Sequence, residues 1–173
     1  MKKLLTFALF TLLASAAFGQ TEKGPNPDHA SPEAIIKAVY EVISGDAGVE
    51  RDWDRFRAVF HKDARLIPTG KNPQTGMFNA VSMTPDGYVE RAAPGFGKDG
   101  FHEREVARKT DRYGNIVHVF STYEAFRKKD DTKPFMRGIN SFQLLFDGKR
   151  WWIMTIYWQA ETPDNPIPKL YLP

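Results

Sequence analysis

The last third of the chain constrains the fold more than any other stretch. Residues 135–161 read FMRGINSFQLLFDGKRWWIMTIYWQAE, two runs of aromatic and β-branched residues on either side of Asp147-Gly148. An Asp-Gly pair between such runs marks a hairpin, because glycine adopts the positive φ that a tight turn needs. The chain therefore ends in a long antiparallel strand pair that must be covered on at least one face. The residues before it continue the pattern, so strands are expected over 101–110, 115–127, 135–146 and 150–160.

Helical signals lie upstream. Ser31 is a good N-cap and Pro32 suits the first helical position. Ile35, Ile36, Val39, Val42 and Ile43 then recur on one face, and Gly45 can end the helix. A second helix begins near Asp52 and carries Trp53, Phe56 and Phe60 on one stripe. Short strands are expected over 65–69 and 76–83. Thr84-Pro85 opens a third, short helix with Tyr88 and Val89, ended by Pro94-Gly95. Helices first and long strands afterwards argue for an α+β fold, with helices on one face of a curved antiparallel sheet.

Alternation along the last hairpin divides its two faces. With a two-residue turn, Asn140, Phe142, Leu144 and Phe146 join Trp151, Ile153, Thr155 and Tyr157. That mixture suits the lining of a ligand cavity. The other face carries Ile139, Ser141, Gln143 and Leu145 beside Trp152, Met154, Ile156 and Trp158. So apolar a face requires a cover, either a second copy of the chain or its own Pro-rich tail.

The N-terminus addresses the compartment. Lys2 and Lys3 precede an apolar run from Leu4 to Phe18, with small residues at Ala14-Ser15-Ala16 and Ala17-Phe18-Gly19. Residues 1–19 read as a secretory signal peptide, too short to be a comfortable span, so a periplasmic or secreted protein is expected. The chain has no cysteine, which excludes a lipoprotein anchor and disulfide staples. Removing Lys2 and Lys3 lowers the net charge from +3 to +1. No basic stripe tracks a phosphate backbone, so no nucleic-acid partner is expected. Arg127-Lys128-Lys129, answered at once by Asp130-Asp131, reads as a solvated hairpin tip. Residues 20–30 read as a flexible lead-in, 31–160 as one domain, and 161–173 as a Pro-rich tail lying extended on its surface.

The order of these elements resembles the nuclear-transport-factor-2-like (NTF2-like, or SnoaL-like) superfamily. The likeness is carried by Trp53-Asp54-Arg55-Phe56, by Phe60-His61-Lys62-Asp63-Ala64, and by Asp147-Gly148-Lys149-Arg150-Trp151-Trp152-Ile153 at the final hairpin. It implies a cone of curved sheet closed by three helices, a deep pocket between them, and frequent homodimers. It implies no single chemistry, since the fold hosts isomerases, dehydratases, cyclases, hydrolases and binding modules. Ketosteroid isomerases of this superfamily carry an aspartate base a few residues beyond the Asp-Ala pair. Here Ile67 stands at that place, so proton abstraction lacks that acceptor.

Two functions remain. The first is an exported binding module, with a small apolar or amphipathic ligand held by Arg137, Asn140, Tyr157 and Trp151 and a dimer formed through the outer sheet face. The alternative is an isomerase- or dehydratase-type enzyme, with His102 or Glu103 as base and Tyr123 or Arg137 stabilising developing charge. His102 and Glu103 are strand neighbours and face opposite ways, so only one can enter the cone. Gly138, in a strand interior, is costly unless something approaches the backbone closely. Arg137 has a structural reading too, as an ion-pair partner of Glu103 or Glu124. No metal and no cofactor is expected: His61 and Asp63 find no third ligand at a suitable spacing. Gly95-Phe96-Gly97-Lys98-Asp99-Gly100 matches a nucleotide fingerprint literally, but a helix precedes it and a strand follows, the reverse of what phosphate binding requires. It reads as a loop and a candidate lid.

Overall fold

The computed structural model describes residues 26–173. Helix α1 spans Pro32–Ile43, α2 Trp53–Ala58 and α3 Pro85–Asp99. Strands are β1 Phe60–Lys71, β2 Phe78–Ala80, β3 His102–Tyr113, β4 Ile116–Phe126, β5 Met136–Phe146 and β6 Trp151–Ala160. They form one six-stranded sheet in the order β2-β1-β6-β5-β4-β3. Among the described residues no helix is long and apolar enough to cross a membrane.

Local chemistry starts each helix as expected. Ser31 accepts the Ala34 N–H at 3.1 Å, Asp52 accepts that of Arg55, and Thr84 that of Gly87. The apolar face of α1, from Ile35 to Ile43, is buried against the sheet. Arg51 is 6% exposed and turns its guanidinium inward. It donates to the carbonyls of Ile43, Gly45, Asp46 and Val49, and so satisfies the last carbonyl of α1 and pins the loop that follows it.

The sheet is mixed, not wholly antiparallel. β1 runs parallel to β6, with Leu66 opposite Ile156 and Pro68 opposite Trp158, while the other neighbours are antiparallel. The long β1, which begins five residues earlier than expected, pairs along both edges. The sequence pattern has no signal for this, because β1 and β6 lie some ninety residues apart.

A bulge corrects the expected face of β6. Leu144 pairs with Ile153 and Gln143 with Thr155, which leaves Met154 as an extra residue. The expected alternation holds for Asn140, Phe142, Leu144, Trp151 and Ile153, all buried. Beyond Met154 it inverts. Ile156 and Trp158 turn inward, and Tyr157 turns outward with 47% exposure. A second bulge lies at Val106, between the pairs Glu105–Tyr123 and Ala107–Thr122. Bulges increase local twist, and these two bend the sheet around its concave face.

Helix α3 is longer than expected. It passes through Pro94, which removes one helical hydrogen bond, and ends at Gly100, whose φ is +68°. Packing offsets that loss: the Phe96 ring stacks on Phe101 at 4.3 Å and lies 6.4 Å from Trp53. The segment Gly95–Gly100 is therefore the anchored last turn of a helix, not a lid loop.

Both ends of the described residues lie on the domain. Residues 27–29 of the expected lead-in form a single turn that buries His29, while Asp28 receives two hydrogen bonds from Arg55 at 2.8 Å. The tail lies across the outer face of β4, where Tyr171 O accepts the Thr122 hydroxyl at 2.6 Å and the Tyr171 ring meets Phe120. The tail packs on β3 and β4, beside the β5–β6 face for which a cover was expected. The expected signal peptide lies outside the described residues.

Candidate functional site

The helices and the concave face of the sheet border a half-open cavity of about 300 Å³. Val39 and Ile43 come from α1, Phe56 from α2, and Tyr88 and Phe96 from α3. Leu66, Phe142, Ile156 and Trp158 form the floor. The exposed Arg91 stands at the rim. Three polar side chains enter this apolar enclosure from the sheet: Glu103 on β3, Tyr123 on β4 and Asn140 on β5.

Glu103 is held at both ends. Ser44, the C-cap of α1, accepts the Glu103 N–H at 2.9 Å, and Gly45 and Phe101 exchange a pair of backbone hydrogen bonds at 2.7 and 3.0 Å. The end of α1 is thereby fastened to the start of β3. At the carboxyl, Oε1 accepts from the Asn140 amide at 3.1 Å. Oε2 has no partner among the described residues. Glu103 forms the wall between the cavity and a groove bounded by α1 and β3. Desolvation in this wall outweighs the amide hydrogen bond and pushes the carboxyl up to about 8. At pH 7 Glu103 is mainly a neutral acid, able to donate.

Tyr123 is 1% exposed, and its hydroxyl is buried without a hydrogen-bond partner. Burial, with the Glu103 carboxyl as a second cause, raises its pKa, so it stays an O–H donor. Its ring crosses over Gly138, the residue paired with it on β5: a Cβ there would come within 2.5 Å of the Tyr123 oxygen. The close approach expected at Gly138 is thus made by Tyr123. Tyr88, opposite on α3, is likewise raised by burial.

Four of the residues singled out by sequence lie outside the cavity. His102 faces away from Glu103 and meets Asp46 at 2.8 Å. Arg137 sits on the other face, 3.5 Å from Glu161 and 4.0 Å from Glu124, as its structural reading expected for Glu124. Trp151 is buried beside Phe146 and under Arg112, at the far end of the sheet. Tyr157 is on the outer face. Glu103, Tyr123 and Asn140 come together. The sequence reading missed Tyr40, Ser121, Glu105, Tyr88 and Trp158. Tyr40 alone had a signal, as the one aromatic with a polar head on the buried stripe of α1. Among the described residues no group of three His, Asp or Glu is close enough to hold a metal ion.

No family model matches the chain, and no curated protein matches it in sequence. Solved structures do match its fold. An NTF2-like protein of unknown function from Pseudomonas putida superposes with a TM-score of 0.56 at 10% identity, over 79% of this chain and 89% of that one. An NTF2-like protein of unknown function from Silicibacter pomeroyi gives 0.51 at 12% identity, over 75% and 92%. A protein from Parabacteroides distasonis, provisionally assigned as a ketosteroid isomerase, gives 0.50 at 12% identity, over 84% and 95%. Such identities speak to fold and not to chemistry.

Proposed function

From an NTF2-like fold with a mainly apolar cavity, we infer an exported protein that binds a small, largely apolar molecule carrying one hydrogen-bond-accepting oxygen, such as a ketone. The observation behind this reading is the buried Tyr123 hydroxyl, which has no protein partner. Leaving such a group unpaired costs about 1–3 kcal/mol, which a ligand oxygen recovers when a small shift of the ring opens the hydroxyl, itself almost without accessible surface, to the cavity. Glu103 supplies a second O–H while it is neutral. A cavity of about 300 Å³ suits a molecule of roughly fifteen non-hydrogen atoms.

Calorimetry with 2-decalone, and with decalin as its oxygen-free counterpart, tests the reading. The ketone is expected to bind more tightly than the hydrocarbon. Tyr123→Phe should weaken the ketone about tenfold and leave the hydrocarbon unchanged. Ketone affinity should fall as the pH rises through about 8, because ionised Glu103 stops donating and repels the oxygen. Equal affinity for both probes, or no binding of either, removes the proposal.

One observation favours the enzymatic alternative: the Glu103 side chain lines the cavity. A carboxyl raised to about 8 beside a bound ketone is poised for proton transfer near neutral pH. Glu103-dependent exchange of the ketone's α-hydrogens in deuterated water supports that alternative, and exchange equal to that of Glu103→Gln excludes it. Export through residues 1–19 and pairing of two copies through the exposed part of the outer face, around Tyr157, belong to the same proposal. The mass of the exported chain and its sedimentation decide them.

A further inference from the structure

A chain of side chains leads from Glu103 away from the cavity. The Asn140 Nδ2 donates to Glu103 Oε1 at 3.1 Å and to the Tyr40 hydroxyl at 3.0 Å. The Tyr40 oxygen lies 2.7 Å from Ser121 Oγ, and Ser121 donates to Glu105 Oε2. Glu105 is in turn paired with Arg108 Nε at 2.6 Å. Tyr40, Ser121 and Asn140 are 6%, 0% and 7% exposed, so the middle of the chain is shut off from water, while Glu105 and Arg108 reach the groove at its outer end.

Its direction is set from the charged end. Held by Arg108, the Glu105 carboxylate only accepts, so Ser121 must donate to it. Ser121 has then spent its proton and accepts from Tyr40. Tyr40 has spent its own and accepts from Asn140. Only the NH₂ end of the Asn140 amide can meet that demand, and its other N–H goes to Glu103. A proton cannot travel along this chain, because an amide interrupts it. The chain is a strut.

We propose that Tyr40, Ser121, Glu105 and Arg108 are positioning residues that lock the Asn140 amide as a donor to Glu103 Oε1 and so reserve Oε2 for the ligand. This rests on the reading of the cavity as a ligand site. The consequence is a restriction on ligands. With Oε1 occupied by a donor, the proton of neutral Glu103 resides on Oε2, so the site selects a hydrogen-bond acceptor. Were the amide free to turn over, its oxygen would accept that proton internally and the site would lose its donor.

The titratable and charged groups around Glu103 are few. Tyr40 faces it from α1 on the groove side, Tyr123 from β4, and Tyr88 and Arg91 from α3 across the cavity. Glu105 and Arg108 lie on its own strand, and Lys37, Glu41, Glu33 and Arg104 border the groove behind it. None of these hydrogen-bonds its carboxyl. Asn140 is therefore the route by which the strut acts on Glu103.

Carboxyl ¹³C NMR of the ligand-free, glutamate-labelled protein tests the strut. In Tyr40→Phe the amide is released and can accept from neutral Glu103, so the Glu103 midpoint should rise by roughly 0.5–1 pH unit, a three- to tenfold gain in proton affinity. Ser121→Ala, one hydrogen bond further along the chain, should move it in the same direction. In an Asn140→Leu background, Tyr40→Phe should produce no further change, whereas a general loosening or drying of the site would add to it. Unmoved midpoints in Tyr40→Phe and Ser121→Ala, or a Tyr40→Phe effect that persists without Asn140, overturn the proposal. A wild-type midpoint near 4.5 would instead remove the cavity reading itself, so the two failures are distinguishable.

Discussion

Raising the pH from about 5 to about 9 is expected to cost the fold on the order of 4 kcal/mol through a single side chain, and Glu103→Gln to abolish that cost. In the unfolded chain Glu103 ionises near its ordinary 4.5, and in the folded protein at about 8. Below the first value both states hold the proton and nothing is lost. Between the two, the folded state binds a proton that the unfolded state has released, so stability falls as the pH rises. Above about 8 the full penalty stands, at about 1.4 kcal/mol for each pH unit between the two values. Surface acids contribute oppositely at low pH: Asp28, held down mainly by its hydrogen bond to Arg55, stabilises the fold only while it is ionised. The comparison is therefore between wild type and Glu103→Gln across the same range. Urea unfolding should give curves that meet near pH 5 and diverge toward pH 9, with the variant the more stable. Parallel curves would mean that Glu103 is solvated.

The second large effect is expected at Gly138. In Gly138→Ala the new methyl group would come within 2.5 Å of Tyr123 Oη and 2.7 Å of its Cζ, and also too close to the carbonyl of Gln159. Neither neighbour can give way cheaply. The carbonyl belongs to the sheet ladder, and the Tyr123 ring is packed in the core at 1% exposure. Overpacking of this kind costs about 3 kcal/mol. It should also displace Tyr123 from the cavity, so that 2-decalone binding weakens as it does in Tyr123→Phe. Shortening the ring relieves only part of the clash. Gly138→Ala combined with Tyr123→Ala should therefore cost less than the sum of the two single changes, by about 1 kcal/mol or more. Strict additivity would show that the ring and the glycine do not meet.

How much of this was legible depends on the range of the interaction. The Asp147-Gly148 hairpin, the Ser31-Pro32 helix start and the buried stripe of α1 are written in neighbouring residues, and each stands where the pattern puts it. Glu103 and Tyr123 were candidates because a charged or hydroxylated residue in an apolar strand demands an explanation. Gly138 was a candidate because a strand glycine signals close approach. The inversion of β6 was hidden, since one extra residue at Met154 reverses every later side chain and no local pattern announces a bulge. Tyr157 and Trp158 exchanged faces for that reason alone. The strut was hidden more deeply. Its members come from α1, β3, β4 and β5, and Tyr40 reaches Ser121 and Asn140 across 81 and 100 residues. Helix α3 was underestimated because Pro94 is a strong local stop, whereas Phe96 packing on Phe101 is a tertiary term that outweighs it.

The pH titration of the Glu103 carboxyl carbon in the folded, ligand-free protein tests the central claim most directly, with the signal assigned by its disappearance in Glu103→Gln. A mainly apolar cavity with a neutral acid on its wall predicts a midpoint of about 8. A midpoint at the ordinary glutamate value of 4.5 would mean that water solvates the carboxyl freely, and Glu103 would not be a donor to a bound ligand.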